Sequence, residues 1–312
     1  MKHICTIIWL IIFAYGHAQN SDYVLVIHGG AGNFNSSSFT SEQYSEYENM
    51  LNKVLLHGDS LLRNGADALD VVVACIVMLE DCPLFNAGKG AVMTEEGKYE
   101  LDASVMDGKT LNAGAVAGVC NIKNPIRAAM KVMEDGKHVM LSGSGADEFA
   151  KSQGLEMVGE EWFYDERIFD RYNQLKKDGK GTVGAVVLDK HGNLAAGTST
   201  GGMMMKRYGR IGDAPVIGAG TYADNQHCAV SCTGHGEYFI RFVAAYDVCA
   251  LMKYAHMDLS EATAEVIKKI GDAGGTGGLI AVDKEGNIAM PFNTTSMFRA
   301  YIRENGTKQI DF

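Results

Sequence analysis

Residues 184–200, "GAVVLDKHGNLAAGTST", and residues 278–294, "GLIAVDKEGNIAMPFNT", follow one pattern: an apolar run, Asp-Lys-x-Gly-Asn, and a second apolar run. Short runs of Val, Ile and Leu build buried strands, and Gly-Asn supplies the positive-φ residues that a tight reversal needs. The chain therefore holds two antiparallel hairpins of the same design. Two helical stretches separate them, residues 236–255 and 259–271. Upstream, "YVLVIHGGAG" (23–32) is a strand running into glycines, a polar-apolar helix is expected over 41–62, and residues 64–80 read as a buried helix. Residues 90–108 alternate on either side of Glu96-Gly97 and predict a further hairpin, and residues 113–122 a strand. A helix opens at 124, with Asn124 as its cap and Pro125 in its first turn, and a short one follows over 144–154. Strands come in antiparallel groups and helices in consecutive pairs, which predicts a layered α+β fold rather than alternating βαβ units. Two antiparallel sheets face to face, with helices outside, would bury these apolar strands on both sides.

With 312 residues and 46% hydrophobic content the chain can bury a substantial core. Its formal net charge is −10, from 28 basic and 38 acidic residues, with no basic block, which argues against nucleic acid or an anionic membrane surface as partner. The first residues have the form of a secretory signal: Lys2 and His3, an apolar run over 4–15, then Gly16 and Ala18 before an expected cut at Ala18/Gln19. That run is shorter than the about 20 residues of a membrane span. The mature chain is therefore expected to be exported, periplasmic or secreted. Cys75, Cys120 and Cys249 sit in apolar runs, Cys228 and Cys232 are too far apart along one strand to pair, and no C-x-x-C occurs. Neither a disulfide framework nor structural zinc is expected, and no H-E-x-x-H points to a metalloenzyme. His28 and His235, in glycine turns, are expected to shape loops. Residues 155–181 are charged, weakly periodic and end Lys-Asp-Gly-Lys-Gly, as an exposed linker with some helical tendency would.

The linker meets Thr182 at the mouth of the first hairpin. A threonine hydroxyl is a weak nucleophile until a base takes its proton. A free α-amine on the same residue, with an unperturbed pKa of about 7.7–8.0, can be that base, held in place by covalent bonds. A cut at Gly181–Thr182 would create it, and glycine tolerates the backbone geometry such a cut requires. Thr198 and Thr200 end the neighbouring strand, where a hydroxyl could bond Thr182. Arg210 and Asp213, in "GRIGDAP", pair a cation with an anion on a glycine-punctuated loop, which suits the carboxylate and ammonium of an amino acid. Thr233 and Gly234 on the turn of "CTGHGE" offer a hydroxyl and an N–H for an oxyanion hole.

Together with "HGGAG" (28–32), "LFNAGKGAV" (84–92), "ELDASVMDG" (100–108), "NPIRAA" (124–129), "GTVGAV" (181–186), "TSTGG" (198–202), "GAGTYADN" (218–225) and "AVSCTGHGE" (229–237), this set resembles the plant-type L-asparaginase / isoaspartyl peptidase family of N-terminal-nucleophile (Ntn) hydrolases. The resemblance runs from about residue 24 to 294. It implies a four-layer αββα sandwich, autoprocessed into chains 19–181 and 182–312 and assembled as a dimer of such two-chain protomers. It implies Thr182 as nucleophile supported by Thr200, and Arg210 and Asp213 as holders of the substrate's α-carboxylate and α-ammonium. Thr233 and Gly234 would form the oxyanion hole, the Gly236 carbonyl would touch the ammonium, and Asn86 would orient the nucleophile. The backbone carbonyls of Leu79, Glu80, Cys82, Phe85, Ala87 and Lys89 would encircle a structural sodium ion, with no catalytic cofactor. The substrates implied are L-asparagine and β-aspartyl dipeptides. A glycosylasparaginase, cleaving the Asn–sugar bond, is the alternative within the superfamily, and an inert amino-acid-binding protein the alternative outside it. Two departures from the family pattern, "MMMKR" after Gly202 and Ala214 after the Asp, bear on leaving-group preference; the methionines predict an apolar, adaptable wall beside the site.

Overall fold

The computed structural model describes residues 22–34, 39–173 and 181–312. The expected signal, its cut at Ala18/Gln19 and most of the linker's glycine-lysine end lie outside these residues. Among them, twelve strands form two sheets. The larger has the order β12 (Lys308–Asp311), β11 (Ser296–Arg303), β1 (Val24–Gly32), β5 (Val183–Leu188), β6 (Leu194–Thr200), β2 (Leu101–Asp107), β3 (Ala113–Val119), β4 (Met140–Ser142). The smaller runs β10 (Ile288–Ala289), β9 (Gly277–Asp283), β8 (Cys228–Gly234), β7 (Thr221–Ala223).

Side chains alternate across each strand and so feed different layers. In β5, Val183, Ala185 and Val187 pack with Leu55, Val72 and Ile76 from α1 (Ser41–Arg63) and α2 (Ala68–Glu80). From the other face, Val186 and Leu188 meet Ile280, Val282 and Ala229 of the second sheet. That sheet's far side, Val230, Cys232, Leu279 and Ala281, is covered by Val248, Val266 and Ile270 from α7 (Ala244–Ala255) and α8 (Leu259–Asp272). Three buried layers between four layers of elements make the αββα sandwich. No helix among the described residues is long and apolar enough to cross a membrane.

The twin hairpins turn as expected at Gly192 (φ 75°) and Gly286 (φ 82°). In each turn an aspartate accepts two backbone N–H groups: Asp189 those of His191 and Asn193, Asp283 those of Glu285 and Asn287. The hairpins belong to different sheets, and Pro291 lies two residues beyond β10, where a missing N–H suits an edge.

Five local expectations change. The hairpin about Glu96-Gly97 reduces to one bridge, Met93 with Tyr99, because β2 spends its ladder on β3 and β6. The helix over 236–255 breaks into α6 (Gly236–Phe242) and α7 at Val243, whose φ is 51°. There Ala245 and Tyr246 donate their N–H groups to Ala219 and Gly218 instead of to a preceding turn. Asn124 precedes α3 (Pro125–Asp135) but its side chain donates to Asp81 Oδ1 (3.0 Å) rather than capping. One strand pair is parallel, β3 with β4, because α3 crosses over between them; α4 (Gly143–Ser152) follows. The described part of the linker is anchored at points: Phe163 is fully buried, Trp162 stacks under Lys89 and Lys123, and α5 (Glu166–Asn173) sets Ile168 and Tyr172 on the core. Its apolar anchors are too sparsely spaced to read as a helix face, yet each finds a pocket.

Candidate active site

Thr182 sits just before β5, opposite Thr200 at the end of β6, continuing the register that pairs Val183 with Ser199. Its hydroxyl donates to Thr200 Oγ1 at 3.1 Å, and Thr200 also accepts from Gly202 N–H (2.9 Å). Thr200 uses its own proton on the Gly181 carbonyl (3.1 Å), which takes a second bond from Asn86 Nδ2 (2.8 Å). The carbonyl of the Gly181–Thr182 peptide is thus polarised by two donors beside a hydroxyl whose proton is already directed away. Asn86 is fixed by Val92 N–H on its oxygen and by Gly202 O on its nitrogen. Gly30, at φ 109° beyond a bulge in β1, passes so close that a Cβ there would stand 2.8 Å from Gly181 Cα and 3.1 Å from Thr182 N. Only glycine fits.

Gly181, Thr182, Thr200, Gly202, Met203, Arg210, Gly212, Asp213 and Gly234 line one small cavity of about 20 Å³. The loop thus delivers Arg210 and Asp213 to the threonine. Asp213 is buried, its Oδ2 has no hydrogen-bond partner among the described residues, and burial pushes its carboxyl up to about 7. Such an oxygen is a seat for a cation. Arg210 is gripped through Nε and Nη2 by Glu237 Oε1 and Oε2 (2.8 and 3.0 Å). Glu237 was not anticipated from sequence, although it ends the quoted "CTGHGE". Its hold on Arg210 lowers its own pKa and leaves Nη1 near Gly212. A Cβ at Gly236 would stand 2.8 Å from Asp213 Oδ1 and 3.0 Å from Arg210 Nη2, so a side chain there would fill the clamp. Thr233 is fully buried; its hydroxyl accepts Ala31 N–H across the sheets (3.3 Å) and keeps its own proton to donate. Of the three methionines only Met203 lines this cavity; Met204 is buried, and Met205 donates its N–H to Met93 O.

His28 does not shape a loop. It lies inside β1, wholly buried, where loss of solvent pushes its pKa down to about 3 and keeps it neutral. Its Nε2 lies 3.0 Å from Ser231 Oγ, the first link of a buried hydroxyl chain between the sheets. Ser231 meets Thr198 (2.7 Å), Thr198 meets Thr221 (2.6 Å), Thr221 meets Ser104 (2.8 Å), and Ser104 donates to Ala214 O (2.6 Å). Thr198 therefore serves this chain, not Thr182. The chain ties the strand that backs the nucleophile to the residue following Asp213. No sequence signal announces it, because its members come from five different strands, β1, β8, β6, β7 and β2.

A second cavity, about 440 Å³, borders Gly181 and Asn86 from the other side, walled by Phe34, Phe39, Tyr47 and Phe298. Behind it, the 79–90 loop turns carbonyls inward. A Cβ at Gly88 would collide with Glu80 O, and one at Gly90 with Phe85 O and Pro83 O. The Ala87 carbonyl accepts one N–H, from Gly90, and retains a second lone pair. A carbonyl cradle of this kind fits a hard monovalent cation better than a soft one.

A threonine at a strand mouth inside an αββα sandwich, preceded by a polarised glycyl carbonyl, defines an N-terminal-nucleophile hydrolase. A sequence model of the asparaginase family matches residues 21–311. The chain belongs to that family. It is 49% identical over 295 residues to an isoaspartyl peptidase of Escherichia coli (strain K12), covering 89% of this chain and 92% of that protein. It is 39% identical over 291 residues to an isoaspartyl peptidase/L-asparaginase of Xenopus laevis (90% and 93% covered). It is 38% identical over 301 residues to a plant-type L-asparaginase of Pyrococcus horikoshii (90% and 96% covered).

Proposed function

We propose that this protein cuts itself at Gly181–Thr182 and then hydrolyses the side-chain amide of L-asparagine and of β-aspartyl peptides, releasing L-aspartate. The observation that carries this is the Thr182–Thr200 hydroxyl pair in one cavity with Arg210 and the unpartnered Asp213 oxygen. In the cut, Thr182 Oγ1 bonds to the Gly181 carbonyl carbon, the C–N bond breaks with a proton passing to the nitrogen, and water hydrolyses the ester. The cavity in the uncut chain has room for about one water. Departure of Gly181 is what makes room for an aspartyl group, so the uncut chain is inactive.

In the mature enzyme the new Thr182 amine takes the Oγ1 proton as the oxygen attacks the amide carbon. The proton is passed to the leaving nitrogen, and water then frees L-aspartate. Arg210 holds the α-carboxylate, while Asp213 and the Gly236 carbonyl hold the ammonium. Thr233 O–H and Gly234 N–H receive the oxyanion. The residue that leaves a β-aspartyl dipeptide enters the aromatic-walled cleft beyond Gly181, with Met203 as a yielding wall on the Arg210 side. The 79–90 carbonyls, those of Leu79, Glu80, Cys82, Phe85, Ala87 and Lys89, would hold a sodium ion and so brace the segment that carries Asn86. Export after removal of residues 1–18 and assembly of two two-chain protomers complete the reading. The relatives' names support β-aspartyl and asparagine amides over an Asn–sugar bond. The test compares L-aspartate release from a β-aspartyl dipeptide, L-asparagine and an Asn-linked glucosamine. Turnover of the last alone would replace this reading with a glycosylasparaginase, and a single uncut, inactive chain on a denaturing gel would leave only an amino-acid binder.

Two variants separate the parts. Asn86→Ala removes one donor from the Gly181 carbonyl and should slow chain cutting by about 10²–10³-fold, read from the rate at which the full-length band disappears. Glu237→Gln loosens Arg210 without removing it. It should raise KM about fivefold with kcat kept, since a part-exposed ion pair contributes about 1 kcal/mol; a fall in kcat alone would place Glu237 elsewhere in the mechanism.

A further inference from the structure

Far from the threonine site, at the opposite end of β8 from Thr233, the turn joining β7 to β8 meets the inward face of α7. There Asp224, His227 and Cys249 bring one ligand atom each to within 4.8 Å of one another, the one such group among the described residues. The turn holds two of them rigidly. Asp224 Oδ1 accepts Gln226 N–H (2.9 Å), which leaves Oδ2 facing His227 Nδ1 at 3.2 Å. Backbone bonds from His227 N–H to Asp224 O (2.9 Å) and from Asp224 N–H to Cys228 O (3.0 Å) fix the spacing. From the helix side comes Cys249, nearly fully buried, in the same buried cluster as Cys228. The Asp224 and His227 side chains are 14% and 20% exposed, so solvent reaches one edge of the group.

A core thiol is ordinarily packed on hydrocarbon, and a surface Asp–His pair ordinarily points into water. Here the Cys249 thiol abuts the carboxylate–imidazole pair, joining soft and borderline donors that oxygen-seeking ions such as Mg²⁺ or Ca²⁺ do not favour. We infer that Asp224, His227 and Cys249 bind a zinc-class divalent cation. On binding, the Cys249 S–H proton leaves to solvent and the S–metal bond forms. One thiolate and one carboxylate neutralise the ion, and a water completes the tetrahedron. The ion would clasp the β7–β8 turn to α7, the second sheet to its helix layer. Its ligands come from two segments more than twenty residues apart, so the missing C-x-x-C spacing says nothing against it.

The test uses the full protein, reduced and freed of metal by a chelator, titrated with Co²⁺ and then Zn²⁺. The expected result is one equivalent bound, with a thiolate-to-cobalt charge-transfer band and the visible bands of tetrahedral cobalt, both bleached by Zn²⁺. Cys249→Ser should abolish the charge-transfer band. His227→Ala should weaken binding beyond the about 100-fold that loss of an outer-shell partner costs. Zinc should raise the Tm of the wild type and not of Cys249→Ser, and cooperative melting of the variants shows that they are folded. Absence of the charge-transfer band overturns the proposal, as does a band that survives Cys249→Ser. A Cys228–Cys249 disulfide in the protein as isolated, seen as a mass lower by two hydrogens, also overturns it.

Discussion

Thr182→Ala should leave one uncut chain and lower hydrolysis of β-aspartyl dipeptides by about 10⁴-fold or more, as removal of a nucleophile does where the residual rate comes from binding alone. Both losses have one cause. In the proposed mechanism the hydroxyl that attacks the Gly181 carbonyl is the one that later attacks substrate, and its bond to Thr200 directs its proton in the uncut chain. Intact-mass measurement reads the first loss and L-aspartate release the second. Thr182→Ser keeps the hydroxyl and should still be cut. If Thr182→Ala were cut at the usual rate, the nucleophile would have to lie elsewhere, and the two donors on the Gly181 carbonyl would have no role in cutting.

Asp213→Asn should lower kcat/KM by about 10²–10³-fold at pH 8, the scale on which a buried, hydrogen-bonded charge pair responds to loss of one partner. The pH profile carries the sign. In the proposed reading Asp213 accepts the substrate's ammonium only when ionised, and burial lifts its pKa, to about 7 with Gly181 still in place. As pH falls through that value the carboxyl protonates and kcat/KM is lost. The Thr182 amine, with an unperturbed pKa of about 7.7–8.0, is lost in the same direction. Below pH 7 the logarithm of kcat/KM should therefore fall with a slope near two in the wild type and near one in Asp213→Asn. A slope of one in both would mean that Asp213 is not the ammonium's partner.

The layered fold was legible because its strands are written in apolar runs with glycine turns, and Gly192 and Gly286 do what their position asks. Local patterns misled where another element competed for the same backbone. Residues 236–255 have helical composition throughout, yet the 218–219 carbonyls capture two N–H groups and force Val243 to positive φ. Residues 90–108 alternate like a hairpin, but β2 has better partners in β3 and β6. At the site, the residues carrying motifs, Thr200, Arg210 and Asp213, come together around Thr182 as expected. Those that act through a neighbour were invisible: Glu237 matters only because Arg210 lies across from it, and the chain from His28 to Ser104 exists only once two sheets face each other.

The larger sheet has a consequence for the life of the cut protein. Across it, β12 and β11 lie beyond the Gly181–Thr182 bond, β1 before it, β5 and β6 beyond it, and β2, β3 and β4 before it. Three seams of backbone hydrogen bonds, β11–β1, β1–β5 and β6–β2, thus join the two pieces, so neither owns the whole of the larger sheet. Before the cut, closing those seams is an encounter within one chain, at an entropic cost that depends only on loop length. After it, the same closure is an encounter between two molecules and becomes dependent on their concentration. A cut at Thr182, as proposed above, would therefore turn a folding reaction of one chain into one that two dilute pieces cannot easily repeat.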